Sequence, residues 1–234
     1  MINDKQRPSV SLITYDIPHK KTQDVLSRLM LLGRYSLSLT LVPFKPRPER
    51  EVLFQHRPVQ RTGPDPYRLA QAHGVETFHL GDWRSFHPQI DYFLVCGAGL
   101  LEGEFCESAQ ILNVHPGLIP QTRGLDSFKW CIHQRQRLGN TLHRIDAGVD
   151  LGTVFHHRLT DVVQQDDIAA LALRHYNAEV DLLINFEGHL TGGTVLPLDT
   201  GEPTKRMPAS VEAQMLKNFA GFKRKFAATD NGPG

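Results

Sequence analysis

Two short apolar runs constrain the fold most: Tyr92-Phe93-Leu94-Val95-Cys96 and Ile111-Leu112-Asn113-Val114. A strand covered by helices on both faces has no polar side to show, so it reads as a continuous apolar run and not as an alternation. Residues 10–15 (VSLITY), 37–44 (LSLTLVPF) and 75–80 read as further strands, with helical patterns between them. Strands alternating with helices point to an α/β sandwich whose sheet is mostly parallel and flanked by helices. In such open sheets ligand sites gather beyond the carboxyl ends of the strands. The 111–114 run delivers Asn113 and His115 to such an end.

The other elements follow from local signals. Thr22 is a candidate cap for a helix with Val25, Leu29 and Leu32 on one face and Gly33 as its stop. Residues 67–73 form a short helix closed by Gly74, and 126–138 a helix ended by Gly139. Residues 141–145 and 153–159 read as strands around an irregular loop at 146–152. Gln165-Asp166-Asp167 opens a long helix reaching about His189. Residues 45–66, rich in Pro and Arg, read as a long surface excursion. Its Lys45, Arg47, Arg50, Arg57 and Arg61 either face solvent, the preferred reading, or meet a phosphate-bearing substrate. After Gly192-Gly193 come short turns, a basic helix at 211–226 and a tail at 227–234 that reads as disordered. The expected division is a catalytic domain at 1–192 and a short C-terminal extension at 193–234.

Charge and cysteine usage exclude several classes. Lys and Arg number 26 against 25 Asp and Glu in 234 residues, a balance that predicts no nucleic-acid partner. Cys96, Cys106 and Cys131 lack CxxC spacing, so neither a disulfide framework nor a zinc ribbon is expected. The polar start of the chain lacks a signal-peptide run, and no segment approaches about 18 consecutive apolar residues. The expectation is a cytoplasmic protein with no membrane contact. Oligomeric state is not legible, although the 211–226 helix is a candidate homodimer surface.

Among twelve histidines, His115 stands apart. Strand alternation sets it on the same side as Asn113, and Pro116-Gly117 turns the chain immediately after it. Asn113 can donate a hydrogen bond to a developing oxyanion. His115 can exchange protons near neutral pH, and Asp150, between Gly148 and Gly152, can orient it or raise its basicity. With no Ser or Cys in the pattern, this set suits direct attack of an amine on an acyl carbon. The competing reading is a three-ligand metal site made of His115, His143 and Asp150.

The wider pattern Asn113-Val114-His115-Pro116-Gly117-Leu118-Ile119-Pro120, Arg123-Gly124, Gly139-Asn140-Thr141-Leu142-His143 and Asp150-Leu151-Gly152 resembles the folate-dependent formyltransferase family. That family includes glycinamide ribonucleotide, methionyl-tRNA and sugar N-formyltransferases. The match is dense over 90–160, and the order of elements fits from 9 to about 190. The resemblance implies a Rossmann-like formyltransferase fold, 10-formyltetrahydrofolate as donor, a primary amine as acceptor and no metal. It implies that Asn113, His115 and Asp150 are catalytic. It also implies that Gly97, Ala98, Gly99, Leu100 and Leu101 line the pterin pocket, with the loop from Asp146 to Val149 closing it. Thr141, His143 and Arg123-Gly124 are expected to be structural supports.

Departures from the family narrow the acceptor. Tyr15-Asp16-Ile17-Pro18-His19 replaces the Gly-rich phosphate loop of the purine enzyme, whose backbone amides would cradle a ribonucleotide phosphate. The short segment after Gly193 and the near-neutral charge speak against tRNA, and the few residues before the first strand leave no room for the hydrolases' regulatory domain. The remaining expectation is an N-formyltransferase acting on a small amine, best a nucleotide-linked amino sugar. Arg123 to Trp130 and Pro203 to Pro208 are loosely similar to the sugar enzymes. A formyltetrahydrofolate hydrolase is the alternative.

Overall fold

A computed structural model describes residues 7–46, 48–146, 152–195 and 202–227. Among them, eight strands form one sheet in the order β3-β2-β1-β4-β5-β6-β7-β8. The strands are β1 (Ser9–Tyr15), β2 (Ser36–Val42), β3 (Glu76–His79), β4 (Tyr92–Val95), β5 (Ile111–His115), β6 (Gly139–Arg144), β7 (Thr153–Leu159) and β8 (Thr194–Val195). The pairings from β3 through β5 are parallel. Those from β5 through β8 are antiparallel. The sheet is therefore mixed: a parallel α/β half, as the apolar runs predict, extended by an antiparallel ribbon. That ribbon escapes sequence reading because strand direction depends on where the connection returns, and the runs themselves do not encode it.

Seven α-helices cover this sheet among the described residues. They are α1 (Lys20–Leu32), α2 (Pro66–His73), α3 (Trp83–Phe86), α4 (Gly103–Ser108), α5 (Ser127–Gln134), α6 (Ile168–Ile184) and α7 (Ala209–Phe226). One face of the sheet buries Leu12, Leu39, Leu94, Leu112, Val114 and Leu142 against α1 and α6. The other buries Ile13, Phe93 and Ile111 against α3 and α4, through Trp83, Phe86 and Phe105. A third apolar cluster joins α5, α6 and α7 through Phe128, Ile132, Leu171, Met215 and Phe222. No helix of the described residues is long and apolar enough to cross a membrane.

Several element ends obey the expected chemistry. Gly33 and Gly74 close α1 and α2 in the left-handed conformation, at φ 61° and 63°. Asp65 caps α2 by accepting from the N–H groups of Tyr67 and Arg68, with Pro66 at the first position. Asp167 caps α6 through the Ala170 N–H.

Other expectations need correction. Thr22 does not cap α1, which starts at Lys20. Its hydroxyl lies within the first turn, 2.5 Å from that of Thr14 and 3.0 Å from His19 Nδ1. The α5 helix stops at Gln134, before Gly139, with Arg135 at φ 52° as its left-handed terminus. Gly139 instead opens β6, where a side chain would collide with the Arg158 carbonyl and Leu118. The α6 helix ends at Ile184 and a separate turn covers Phe186–His189.

Residues 45–66 are not a free surface excursion either. Phe54 and the His56 ring pack on Phe128. The N–H groups of Leu53 and Phe54 donate to the Glu212 carboxylate, which is fully buried. Residues 228–234, part of the expected disordered tail, lie outside the described residues.

Candidate active site at the end of strand β5

Register and alternation define a polar row on the α3/α4 face. Asn113 pairs with His143 and His115 with Thr141 across β5 and β6. Their neighbours Leu112, Val114 and Leu142 point into the α1/α6 core. Asn113, His115, Thr141 and His143 therefore share the opposite face, in line with Ile111 and Ile145. That is the common side that alternation predicts for Asn113 and His115.

Each member of the row is held by neighbours. Half-buried Asn113 has its side-chain nitrogen 3.1 Å from His143 Nε2, so a proton donated by the amide orients both groups. His115 is only 3% exposed. Its Nε2 lies 2.7 Å from the Thr122 carbonyl oxygen and 3.1 Å from Ser127 Oγ. A ring nitrogen facing a carbonyl must carry hydrogen, so Nε2–H donates to Thr122. The Ser127 hydroxyl in turn donates to the Gly124 carbonyl, 3.0 Å away.

The turn after β5 has no space to spare. A Cβ on Gly117 would lie 2.4 Å from the Thr122 carbonyl oxygen and 2.8 Å from His115 Nε2. The Thr141 hydroxyl donates to the Gly117 carbonyl at 2.6 Å and accepts the Ile119 N–H at 3.0 Å. His157 Nε2 lies 2.8 Å from the Ile119 carbonyl. Thr141 and His143 thus act on Asn113 and on the turn, as supports. Arg123 and Gly124 form a turn onto which the C-terminal segment latches, through Thr204 N–H to the Arg123 carbonyl at 2.9 Å and a β-bridge from Gly124 to Thr204.

The loop carrying Gly97, Ala98, Gly99, Leu100 and Leu101 leaves β4 beside this row. Ala98, Leu101 and Ile145 pack against one and the same cluster with Phe93, Phe105 and Ile111. The 97–101 loop and Ile145, the residue before the expected 146–149 loop, thus meet one apolar wall, while residues 147–149 lie outside the described residues. Asp146 is near enough to help raise the Cys106 thiol pKa, a shift caused first by burial. Leu100 is 90% exposed. A side chain at 97 would strike the rings of His19 and Tyr15. Glu102, just after the loop, accepts from Trp83 Nε1 at 3.0 Å and from Arg84 at 3.2 Å, tying the loop to α3. Asp150 and Val149 lie outside the described residues. Among the described residues, no group of three or more His, Cys, Asp or Glu side chains is arranged to hold a metal ion.

A second polar cluster, absent from the sequence reading, lies where α1 begins. Glu179, 1% exposed, is 2.6 Å from Lys21 Nζ and 2.5 Å from the Arg57 guanidinium. Burial alone would raise the Glu179 carboxyl, but Arg57 and Lys21 hold it down at about 2. Burial, then the charges of Lys21 and Arg57, lower His19 to about 4. Burial likewise takes His175 to about 4 and His56 well below the usual imidazole value. The signal was readable: Lys21 precedes Val25 and Leu29 on the buried stripe of α1, and Glu179 lies between Tyr176 and Leu183 on that of α6. Opposite charges on two facing apolar stripes announce a buried pair. Burial also pushes the Cys96 and Cys131 thiols up to about 12, the state of packed fillers and not of nucleophiles.

Residues 90–186 match the formyl transferase family model. A methionyl-tRNA formyltransferase of Solibacter usitatus is 35% identical over 88 residues, covering 37% of this chain and 28% of that protein. The chain spans between 24% and 36% of the length of the first four such relatives. Among solved structures, a sugar N-formyltransferase from Shewanella sp FDAARGOS_354 aligns with a TM-score of 0.60 at 14% identity, covering 90% of this chain and 87% of that one. A phosphoribosylglycinamide formyltransferase from Anaplasma phagocytophilum aligns with a TM-score of 0.58 at 17% identity, covering 77% and 85%. At these identities the structural likenesses establish the fold. The fold, the polar row on β5 and the match over the segment that carries it agree: residues 90–186 match the formyl transferase family, set within a chain that has the fold of formyltransferases.

Proposed function

We propose that the protein transfers a formyl group from 10-formyltetrahydrofolate to the primary amine of a small molecule, a nucleotide-linked amino sugar being the best candidate. The observation that carries this reading is the juxtaposition on one sheet face of Asn113 and His115 with an apolar wall of Ala98, Leu101 and Ile145. That wall suits a flat, largely apolar ring held against the polar row. The folate would supply the activated formyl carbon. Asn113, its amide oriented by His143, donates to the oxygen that becomes anionic when the amine attacks. His115, with Nε2–H committed to Thr122, stabilises the same charge and handles protons through its other nitrogen. Asp150 is proposed to favour the charged imidazole and to hold the water that ferries the amine proton to the leaving folate nitrogen.

The choice of acceptor is supported by the start of α1. The Lys21 N–H donates to Gln60 Oε1 at 3.0 Å. Gly63 lies against the His19 and Lys20 backbone so closely that a Cβ there would be 2.5 Å away. One amide of this helix start is thus already taken by Gln60, and Gly63 lies over its first residues, which leaves a ribonucleotide phosphate less of the helix start to bind.

The test incubates the protein with 10-formyltetrahydrofolate and a panel of amines, nucleotide-linked amino sugars included. Mass spectrometry should find one formyl group added to one amine. Formate released at the same rate without any amine would assign hydrolysis instead.

A further inference from the structure

The geometry points to a site for a free α-amino acid with an apolar side chain, at the rim of the sheet opposite the β5 row. A cavity of about 390 Å³ there is lined by Asp91, Tyr92, Leu112, Arg144, Phe155 and Leu190 among others. A pocket for a whole small ligand typically measures about 300–1,000 Å³, so this one can take the complete molecule. Tyr92 begins β4, and Arg144 ends the antiparallel β6, paired with Leu112. His115 lies at the far end of β5, and Leu112 faces the α1/α6 core, away from Asn113. Pocket and polar row therefore differ in both rim and face.

The pocket has an apolar floor between two opposite charges. Leu112 belongs to the α1/α6 core, and Tyr92, Phe155 and Leu190 pack against that core while remaining partly open. On one side stands Asp91. Its Oδ2 accepts the Ser9 N–H at 2.7 Å and lies 2.8 Å from Ser9 Oγ, contacts that hold the carboxyl below its ordinary range. Both contacts fall on Oδ2, so Oδ1 keeps its capacity to accept. Burial first, then the charges of Glu187 and Asp91, raise the Tyr92 hydroxyl, which marks this side of the pocket as negative.

On the other side stands half-buried Arg144, whose guanidinium meets the Glu107 carbonyl at 3.5 Å, a long contact that leaves most of its five donors unspent. Among the described residues neither Asp91 nor Arg144 takes part in an ion pair. A guanidinium fork suits a carboxylate, which it can hold through two parallel bonds. A carboxylate such as Asp91 suits an ammonium. A free amino acid carries both groups on one carbon, and the floor takes its side chain. A phosphate would bring a second negative charge against Asp91, and a simple amine would leave Arg144 without its anion.

L-Leucine and L-phenylalanine are the probes, titrated by calorimetry at constant ionic strength beside isocaproate, which is leucine without its ammonium, and isoamylamine, which is leucine without its carboxylate. At least one amino acid should saturate, and each leucine analogue should bind about tenfold or more weakly than leucine, the loss of one charge-assisted contact. Arg144→Gln should weaken leucine by a similar factor and bring it level with isoamylamine. Arg224→Gln, exposed on the last turns of α7, should change nothing. Absence of saturation by both amino acids, an analogue that binds as tightly as leucine, or equal losses from Arg144→Gln and Arg224→Gln would overturn the proposal.

These titrations need neither folate nor acceptor, so their outcome is separate from that of the activity assay. Saturating 10-formyltetrahydrofolate should not compete with the amino acid, because the two would lie on opposite faces of the sheet. Competition between them would place the amino acid at the polar row and overturn the assignment to this pocket.

Discussion

The carboxyl ends of β1 and β5 lie on the same edge of the sheet, yet the chain treats them in opposite ways. At β1 it buries full charges and saturates them: Glu179 between Lys21 and Arg57, with Gln60 and Gly63 laid over the first turn of α1. At β5 it places an amide, two imidazoles and a hydroxyl, those of Asn113, His115, His143 and Thr141, in a row beside an apolar wall. A buried ion pair is costly to build and more costly to break. Such a cluster holds elements together and has little left to offer a substrate. An amide and an imidazole, each oriented by a second partner, can respond to charge that appears during a reaction. Charge density alone would have directed attention to β1. On the proposed chemistry, the capacity to respond lies at β5.

Breaking each end should therefore give different kinds of damage. The largest effect is expected from Glu179→Ala, which leaves Lys21 and Arg57 in the interior without their carboxylate. A loss of about 3–5 kcal/mol of stability follows from removing one partner of a buried pair, measurable as a lower urea midpoint. Asn113→Ala should instead slow formyl transfer about a hundred- to thousandfold, about 3–4 kcal/mol of barrier, with a urea midpoint lowered only by the loss of its hydrogen bond to His143, about 0.5–1.5 kcal/mol. His115→Ala should act in the same direction. Asn113→Ala turning over at the wild-type rate would remove the β5 row from the chemistry, and Glu179→Ala as stable as the wild type would remove the contrast itself.

The two ends were also unequally legible in the sequence. Asn113 and His115 could be placed on one face because a strand has a strict period of two and Pro116-Gly117 marks its end. The parallel half of the sheet followed from continuous apolar runs. The short helices α3 and α4 escaped notice because four and six residues are too few to establish a period. Residues 45–66 look solvated because their arginines are read one at a time. Only the fold shows that Arg50 and Arg57 meet Asp126 and Glu179, 76 and 122 residues away along the chain. The contacts that set the His115 tautomer were equally hidden, since Thr122 and Ser127 approach it from a turn and a helix start with no distinguishing pattern.

A pH series sharpens the comparison at intermediate cost. His19 and His175 sit near 4 and the ordinary imidazole value is 6.5. The unfolded chain therefore takes up protons first as pH falls below 6.5. Stability is complete above that value and is lost down to about 4, by up to about 1.4 kcal/mol per pH unit for each such ring. Glu179, held at about 2 against an ordinary 4.5, adds a second loss from about 4.5 downward. Melting temperatures should begin to fall between pH 6.5 and 5, before ordinary carboxylates titrate. His175→Gln should flatten that part of the curve while leaving the acid limb. A melting temperature constant from pH 7 to 5 would mean that these rings are not packed as neutral groups.

The smallest effect concerns what covers the start of α1. Gln60→Ala removes the side-chain oxygen that accepts from the Lys21 N–H and leaves the Lys21–Glu179 pair untouched. One neutral hydrogen bond of this kind contributes about 0.5–1.5 kcal/mol, so the urea midpoint should move slightly and formyl transfer not at all. Gly63→Ala is the sterner version, because its Cβ would press on the His19 and Lys20 backbone. If Gln60 only seals the helix start, neither a phosphate-free nor a nucleotide-linked acceptor should show an altered KM in Gln60→Ala. A KM that changed for the nucleotide-linked acceptor alone would mean that the phosphate reaches α1 after all. The acceptor would then lie across β1, and the closed and responsive ends of the sheet would be parts of one site.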